Sequence, residues 1–292
     1  MRIATGLDLP VDFATQTAAI LARKGAGKTY AGAVIVEELI AVECPTVVLD
    51  PLGVWWGLRA AANGKDPGLP VTILGGEHGD VPLEPTAGKF VADLVVDHAA
   101  PFVLDLSSFD SNAAQDRFVT DFAERLYRAK APQSKRGPLH LMVDEADSFA
   151  PQRPQRGQER MLGAWEAIVR RGRARGLGVT MITQRPAVLN KNVLTQIEML
   201  VVMQITSPQD RKAIDEWVRG HGTDEERERV LGSLASLKVG EAWVWSPAWL
   251  GILQSVQIRK RITFDSSATP KPGERRIEPT RFASVDLDQL RE

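Results

Sequence analysis

The sequence predicts an α/β fold: a central, mostly parallel sheet flanked by helices, with a C-terminal edge hairpin and an extended tail. Three observations carry this. Short apolar, β-branched runs alternate with longer helix-period segments along most of the chain. Several of those runs are apolar without alternation, as strands buried on both faces of a parallel sheet must be. From about Asp265 the composition then shifts to SSATPKPGERRIEP, rich in proline, serine and charge.

In chain order, the strand candidates are residues 17–22 (TAAILA), 46–50 (TVVLD), 71–74 (VTIL), 102–106 (FVLDL), 139–144 (LHLMVD), 179–183 (VTMIT) and 199–205 (MLVVMQI). Amphipathic helices are expected between them, among others over 28–42, 113–130 and 158–175. Residues 240–246 (GEAWVWS) and 251–262 read as a hairpin at the sheet edge. The expected division is one domain over 1–264 and a tail or linker over 265–292. The closing DLDQLRE has the makings of a first helical turn, consistent with a truncated chain.

Composition narrows the function classes. At 292 residues, 43% apolar and 25% charged, the chain suits a globular protein. Lys+Arg 36 against Asp+Glu 37 leaves no global field toward polyanions, so any such contact must come from local patches. The single cysteine, Cys44, excludes an internal disulfide framework and fits a reducing compartment. His78, His98, His140 and His221 lie too far apart in sequence for metal-ligand spacing. The start MRIATGLDLPVDF lacks the pattern of a secretory leader, and no run reaches the roughly 20 apolar residues that cross a bilayer. A cytoplasmic protein without membrane contact is expected.

The stretch ARKGAGKT (22–29) sits between a predicted strand and a predicted helix. A phosphate-binding loop needs that context, with backbone N–H groups curled around the phosphates and a helix N-terminus behind them. Gly25 and Gly27 supply the backbone freedom, Lys28 reaches the β- and γ-phosphates, and the Thr29 hydroxyl ligates Mg²⁺. The expected nucleotide contacts run through Lys24, Gly25, Ala26, Gly27, Lys28, Thr29 and Tyr30. Ala22 stands where such loops carry a leading glycine; no ligand chemistry depends on it, and alanine is tolerated there if its φ is negative.

Downstream, LHLMVDEADSFAP is an apolar strand ending in two acids. Asp144 is placed to hold Mg²⁺ beside Thr29, and Glu145 to act as general base. Alone, the pair reads equally well as a helix cap. Gln184 ends another buried strand and suits a γ-phosphate sensor, or a solvated strand end. In VRRGRARG (169–176), Arg170 and Arg173 are three apart and are expected on one helix face. They suit transition-state stabilisation in cis or from a neighbouring subunit, or a solvated helix end.

Together, ARKGAGKT, the DPLG after the second strand, MVDEADSFAP, RRGRARGLG and ITQRPAVLNKNVLTQIE resemble the HerA/FtsK group of RecA-like motor ATPases, nearest the HerA-like branch. The resemblance runs from about residue 18 to 245. It implies a RecA-like P-loop NTPase that uses ATP and Mg²⁺, and a ring, typically a hexamer, moving along duplex DNA with a nuclease or other effector protein as a possible partner. By motif, Lys28 and Thr29 take phosphate and Mg²⁺, Asp144 is the metal-associated acid, Glu145 the base and Gln184 the sensor. Arg170 or Arg173 would act on the adjacent subunit's nucleotide, and Asp210 would be the acid after the last apolar strand. With the loop beginning near residue 22, the β-barrel that precedes the motor in typical HerA proteins is not expected here. The string DEAD (144–147) also suggests an RNA helicase, but those need a second RecA-like domain, for which the remaining chain is too short.

Candidate DNA contacts are Arg153 and Arg156 in PQRPQRGQER, and Arg185 and Lys191 after the sensor strand. They would bind phosphates in a salt-sensitive, sequence-blind way. The run RAKAPQSKR (128–136) is a third basic stretch, expected on an outer face. Trp55 and Trp56 read as a buried pair or subunit contact before a base-stacking platform. A viral or plasmid DNA-packaging or transfer ATPase, and an ATP-dependent switch that does not move DNA, remain as alternatives.

Overall fold

The computed structural model describes residues 1–220, 222–268 and 278–287. His221, part of the expected tail and most of DLDQLRE lie outside the described residues. The first half of the chain forms β1 (Arg2–Ala4), β2 (Leu7–Asp8), β3 (Thr17–Leu21), α1 (Lys28–Ala41), β4 (Thr46–Asp50), β5 (Thr72–Leu74), α2 (Gly88–His98), β6 (Phe102–Asp105) and α3 (Asn112–Ala129). The second half forms β7 (Leu139–Val143), α4 (Ala146–Phe149), α5 (Glu159–Arg171), β8 (Leu177–Thr183), α6 (Lys191–Leu194), β9 (Met199–Val202), α7 (Pro208–Arg219), α8 (Asp224–Ser233), β10 (Glu241–Ser246) and β11 (Ile252–Gln257).

Nine strands make one sheet in the order β11-β10-β9-β3-β8-β7-β4-β6-β5. From β9 to β5 every pairing is parallel, and β10 with β11 adds the expected antiparallel edge hairpin. The pleat sends alternate residues to two apolar layers. Leu21, Leu49 and Leu141 pack with Phe118, Phe122 and Trp165 on one face. Ile20, Val48 and Met142 pack with Val34 and Trp55 on the other. Two-sided burial explains why these strands read as unbroken apolar runs. The parallel order β3-β8-β7 places the carboxyl ends of these strands side by side, where ligands bind in open parallel sheets.

Three expected elements come out shorter. The expected helix over 158–175 ends at Arg171: Gly172 keeps helical angles, φ -64 and ψ -35, but its carbonyl accepts from Arg175 N at 2.7 Å and Leu177 N at 3.0 Å, which turns the chain toward β8. A separate 3-10 turn over Arg173–Arg175 follows, closed by Gly176 at φ 73. The strand over 199–205 stops at Val202, since the Gln204 carbonyl accepts from Arg23 N and the chain leaves the ladder. The expected strand over 251–262 stops at Gln257, and residues 258–268 cross back over α1.

Past Asp265, the described residues have no helix or strand. They lie against the loop after β4: the Ser266 hydroxyl donates to Val54 O at 2.6 Å, and Ala283 N donates to Arg59 O at 2.8 Å.

Candidate nucleotide site

The loop after β3 is shaped by glycine where the sequence places it. Gly25 and Gly27 have φ 78 and 101, and Gly27 serves as N-cap of α1, so the loop's backbone N–H groups and the helix N-terminus share one cleft. A side chain at Gly27 would be strained by its φ and would meet Met203 at 3.4 Å. Ala22 is not among the residues of positive φ; it is fully buried, and its N–H donates to Thr183 O at 3.2 Å. Its methyl packs into the layer under α1. Alanine therefore fits the strand exit without strain.

Lys28 points into the carboxyl end of the sheet. Its Nζ lies 2.7 Å from Glu145 Oε1 and 3.4 Å from Asp144 Oδ1. Burial works against its charge, but the two carboxylates outweigh that and hold the ammonium above the usual lysine range. The Thr29 hydroxyl donates to Asp144 Oδ2 at 3.2 Å. Glu145 adopts the left-handed conformation, φ 47 and ψ 45, which costs a residue with a Cβ roughly 1–2 kcal/mol. That turn carries its carboxylate to Lys28 on one side and to the Gln184 amide, at 3.4 Å, on the other. The structure thus brings Lys28, Thr29, Asp144, Glu145 and Gln184 together from β3, β7 and β8, although 156 positions separate Lys28 from Gln184 in the sequence.

Two supporting contacts escaped the sequence reading. Trp55 is buried, 1% exposed, and its indole N–H donates to Asp144 Oδ2 at 3.0 Å. Its backbone N–H is held by Asp50 Oδ2 at 2.8 Å, and Gly32 of α1 leaves the gap its ring fills. Desolvation, with Asp105 beside it, pushes Asp50 up to about 8. Thr183 donates to Asp147 Oδ1 at 2.6 Å and accepts from Arg185 N at 2.9 Å, bracketing Gln184. A tryptophan after DPLG and a threonine before Gln184 are ordinary residues, and only their placement marks them. Trp56 is half-buried and stacks on His78, 4.2 Å between ring centroids, so neither tryptophan is an open stacking platform.

The cleft measures 660 Å³ and extends from Glu145 and Gln184 past Lys24, Gly25 and Tyr30 to Lys260 and Asp265. Ala26, buried, anchors its floor by accepting from Gly240 N at 3.3 Å.

Residues 132–266 match the family described as Helicase HerA-like C-terminal, and residues 2–62 match Helicase HerA, central domain. The chain belongs to the HerA family. It is 35% identical over 105 residues to the probable DNA double-strand break repair helicase HerA of Methanocaldococcus jannaschii, covering 36% of this chain and 19% of that protein. With the DNA double-strand break repair helicase HerA of Saccharolobus solfataricus it shares 29% over 147 residues, 48% of this chain and 27% of that one. The match thus spans about a fifth to a quarter of those relatives' length. Among solved structures, the plasmid coupling protein TrwB with a non-hydrolysable GTP analogue superposes with TM-score 0.62 at 11% identity, over 90% of each chain. The genome packaging NTPase B204 of Sulfolobus turreted icosahedral virus 2 gives 0.56 at 16%, over 84% of this chain and 97% of that one. These likenesses establish the RecA-like P-loop fold.

Not every candidate of this HerA-family chain lies at the cleft. Arg170 and Arg173 are exposed, but they do not share a continuous helix face, because α5 ends between them. They precede the amino end of β8, which runs parallel to β3, so the length of β8, roughly 20 Å, separates them from their own loop. Arg175 stacks on Tyr127, 3.6 Å from its ring centroid. The run over 128–136 lies at this same end, with Lys135 paired to Asp97 and Arg136 bonded to Ala131 O.

The other basic residues lie at the loop end. Exposed Arg153 and Arg156 follow α4, and exposed Arg185 follows Gln184. An antiparallel bridge between Pro151 and Leu189, with Gln152 N donating to Val188 O at 2.7 Å, staples the two loops into one surface. Lys191 belongs to it but pairs with Glu216 at 2.8 Å. Among the described residues, no helix is long and apolar enough to cross a membrane.

Proposed function

We propose that residues 1–264 are the motor of an ATP-hydrolysing, HerA-type translocase that works as a ring, a hexamer, on duplex DNA. The observation that carries this reading is the convergence of Lys28, Glu145 and Gln184 on one cleft behind a phosphate-binding loop. The names of the matched relatives supply DNA as the substrate class and leave room for a nuclease or other effector.

In this scheme the loop N–H groups and Lys28 hold the β- and γ-phosphates. The triphosphate would draw Lys28 away from the two acids, leaving Glu145 to take a proton from the water attacking the γ-phosphorus. Gln184, touching Glu145 and followed directly by Arg185, would pass the state of the γ-phosphate to the stapled basic loops. Thr29 and Asp144 present hard oxygen donors 3.2 Å apart and fit Mg²⁺. When bound, Mg²⁺ neutralises phosphate charge. Arg170 or Arg173, too distant to act within one subunit, would serve the neighbour's nucleotide.

A packaging or transfer ATPase would use the same chemistry. A pure switch has no need of a base held in a left-handed turn between lysine and glutamine. The test is ATP turnover and particle size with and without duplex DNA. The reading expects DNA-stimulated turnover by a ring that assembles with ATP; unchanged hydrolysis by a monomer would overturn it.

A further inference from the structure

The cleft's lining reaches beyond the phosphate loop, and its polarity is set. Glu145 and Gln184 mark the γ-phosphate end, so the α-phosphate and whatever it carries must leave in the opposite direction. There the cleft continues past Tyr30 to a wall built by residues 258–268, contributed by Ile258, Lys260, Asp265 and Ser267.

This wall is firmly seated although it comes from the far end of the chain. Gly240 N donates to Ala26 O at 3.3 Å and Ile258 N to Gly240 O at 2.9 Å, which joins the phosphate loop to the start of the segment. Arg261 N donates to the Tyr30 hydroxyl at 2.9 Å. Glu37 of α1, only 1% exposed, accepts from Ile262 N, Thr263 N and the Thr263 hydroxyl at 2.9, 2.9 and 2.6 Å, and pairs with Arg259 at 2.7 Å. A buried carboxylate so fully bonded rigidifies what it holds. Within the wall, Ser267 N and its hydroxyl donate to Asp265 Oδ1 at 3.1 and 2.7 Å, orienting a carboxylate at the cleft.

We propose that residues 258–268 form the nucleoside-recognition wall of the site, with Asp265 accepting hydrogen bonds from the nucleoside's own donors, a sugar hydroxyl or a base amine. The proposal rests on the ATPase reading above and deepens it. The segment that crosses back over α1 does more than seal the core: it makes the site read the nucleoside as well as the phosphates.

The experiment titrates Mg–ATP, Mg–2′-deoxyATP and Mg–tripolyphosphate into Glu145→Gln protein, whose turnover is blocked, with and without Asp265→Ala. Tripolyphosphate carries the phosphates without the nucleoside and also reports that the variant is folded. Asp265→Ala should weaken ATP about tenfold, the loss expected for a hydrogen bond to a charged group, and tripolyphosphate less than about twofold. If the donor is the 2′-hydroxyl, deoxyATP binds the parent as weakly as ATP binds the Ala variant; if it is another hydroxyl or the base amine, deoxyATP binds like ATP. Equal losses for ATP and tripolyphosphate, or no loss for either, would overturn the proposal. If the parent binds neither ATP nor tripolyphosphate, the nucleotide reading itself falls, and this one with it.

Discussion

The indole N–H of Trp55 donates to Asp144 Oδ2 at 3.0 Å, the same oxygen that accepts from the Thr29 hydroxyl at 3.2 Å. Asp144 Oδ1 meanwhile accepts from Glu145 N at 2.9 Å. The carboxylate is locked from both sides, and Asp50 holds the loop that supplies the tryptophan.

Removing that one donor should loosen the acid. Trp55→Phe deletes the N–H together with the part of the indole that reaches Gly32, so its Tm is followed beside binding. We expect about tenfold weaker Mg²⁺-dependent nucleotide binding, in line with the loss of one hydrogen bond to a charged group. Binding measured across a Mg²⁺ series checks this, and unchanged Mg²⁺ dependence would make the contact merely structural.

Lys28 and Glu145 should separate binding from chemistry. Lys28→Ala should abolish detectable ATP binding. Glu145→Gln should bind ATP within a few-fold of the parent but turn over about 10²–10⁴ times more slowly, the usual contribution of a general base. Near-normal turnover by the Gln variant would place the base elsewhere.

The position of Arg170 and Arg173 beyond the far end of β8 gives a test in mixed assemblies. Ala at the acting arginine should lower turnover by about 10³ or more. Mixing that variant with Glu145→Gln subunits should restore part of the activity, because each supplies what the other lacks. No recovery at any mixing ratio would mean that neither arginine acts across a subunit boundary.

Asp50 should leave a mark on stability. Folded, it keeps its proton to about pH 8, whereas the ordinary aspartate value is 3.8. Between those values the folded state holds the extra proton, so this group's contribution to stability is lost as pH rises. Asp50→Asn removes the titration while keeping an acceptor for the Trp55 N–H. The Asn variant should therefore gain stability on the parent between about pH 5 and pH 8, by an amount on the order of a few kcal/mol, seen as a Tm that rises relative to the parent's; parallel profiles would refute the shift.

What the sequence determined by itself was the set of parts. Two-sided burial made β3, β4, β7 and β8 legible as apolar runs, and the hairpin of β10 and β11 was legible for a related reason, since strand period and turn residues are local properties. The same holds for Lys28, Thr29, Asp144, Glu145 and Gln184, each at the carboxyl end of a recognisable strand or the start of a recognisable helix. Ala22 was left conditional on its φ, which the structure supplied.

The tertiary structure decided the neighbours. Trp55 reaching Asp144, residues 258–268 walling the cleft through Glu37, and the bridge joining the Arg153 loop to the Arg185 loop all join segments distant in sequence. No local period encodes such pairs, because they follow from the order in which the strands lie in the sheet. That order also put Arg170 and Arg173 at the end of the sheet opposite their own phosphate loop, and the turn over Arg173–Arg175 divided the helix expected to carry both. A side chain's type is written in the sequence, but the charge it meets is set by which strand ends lie side by side.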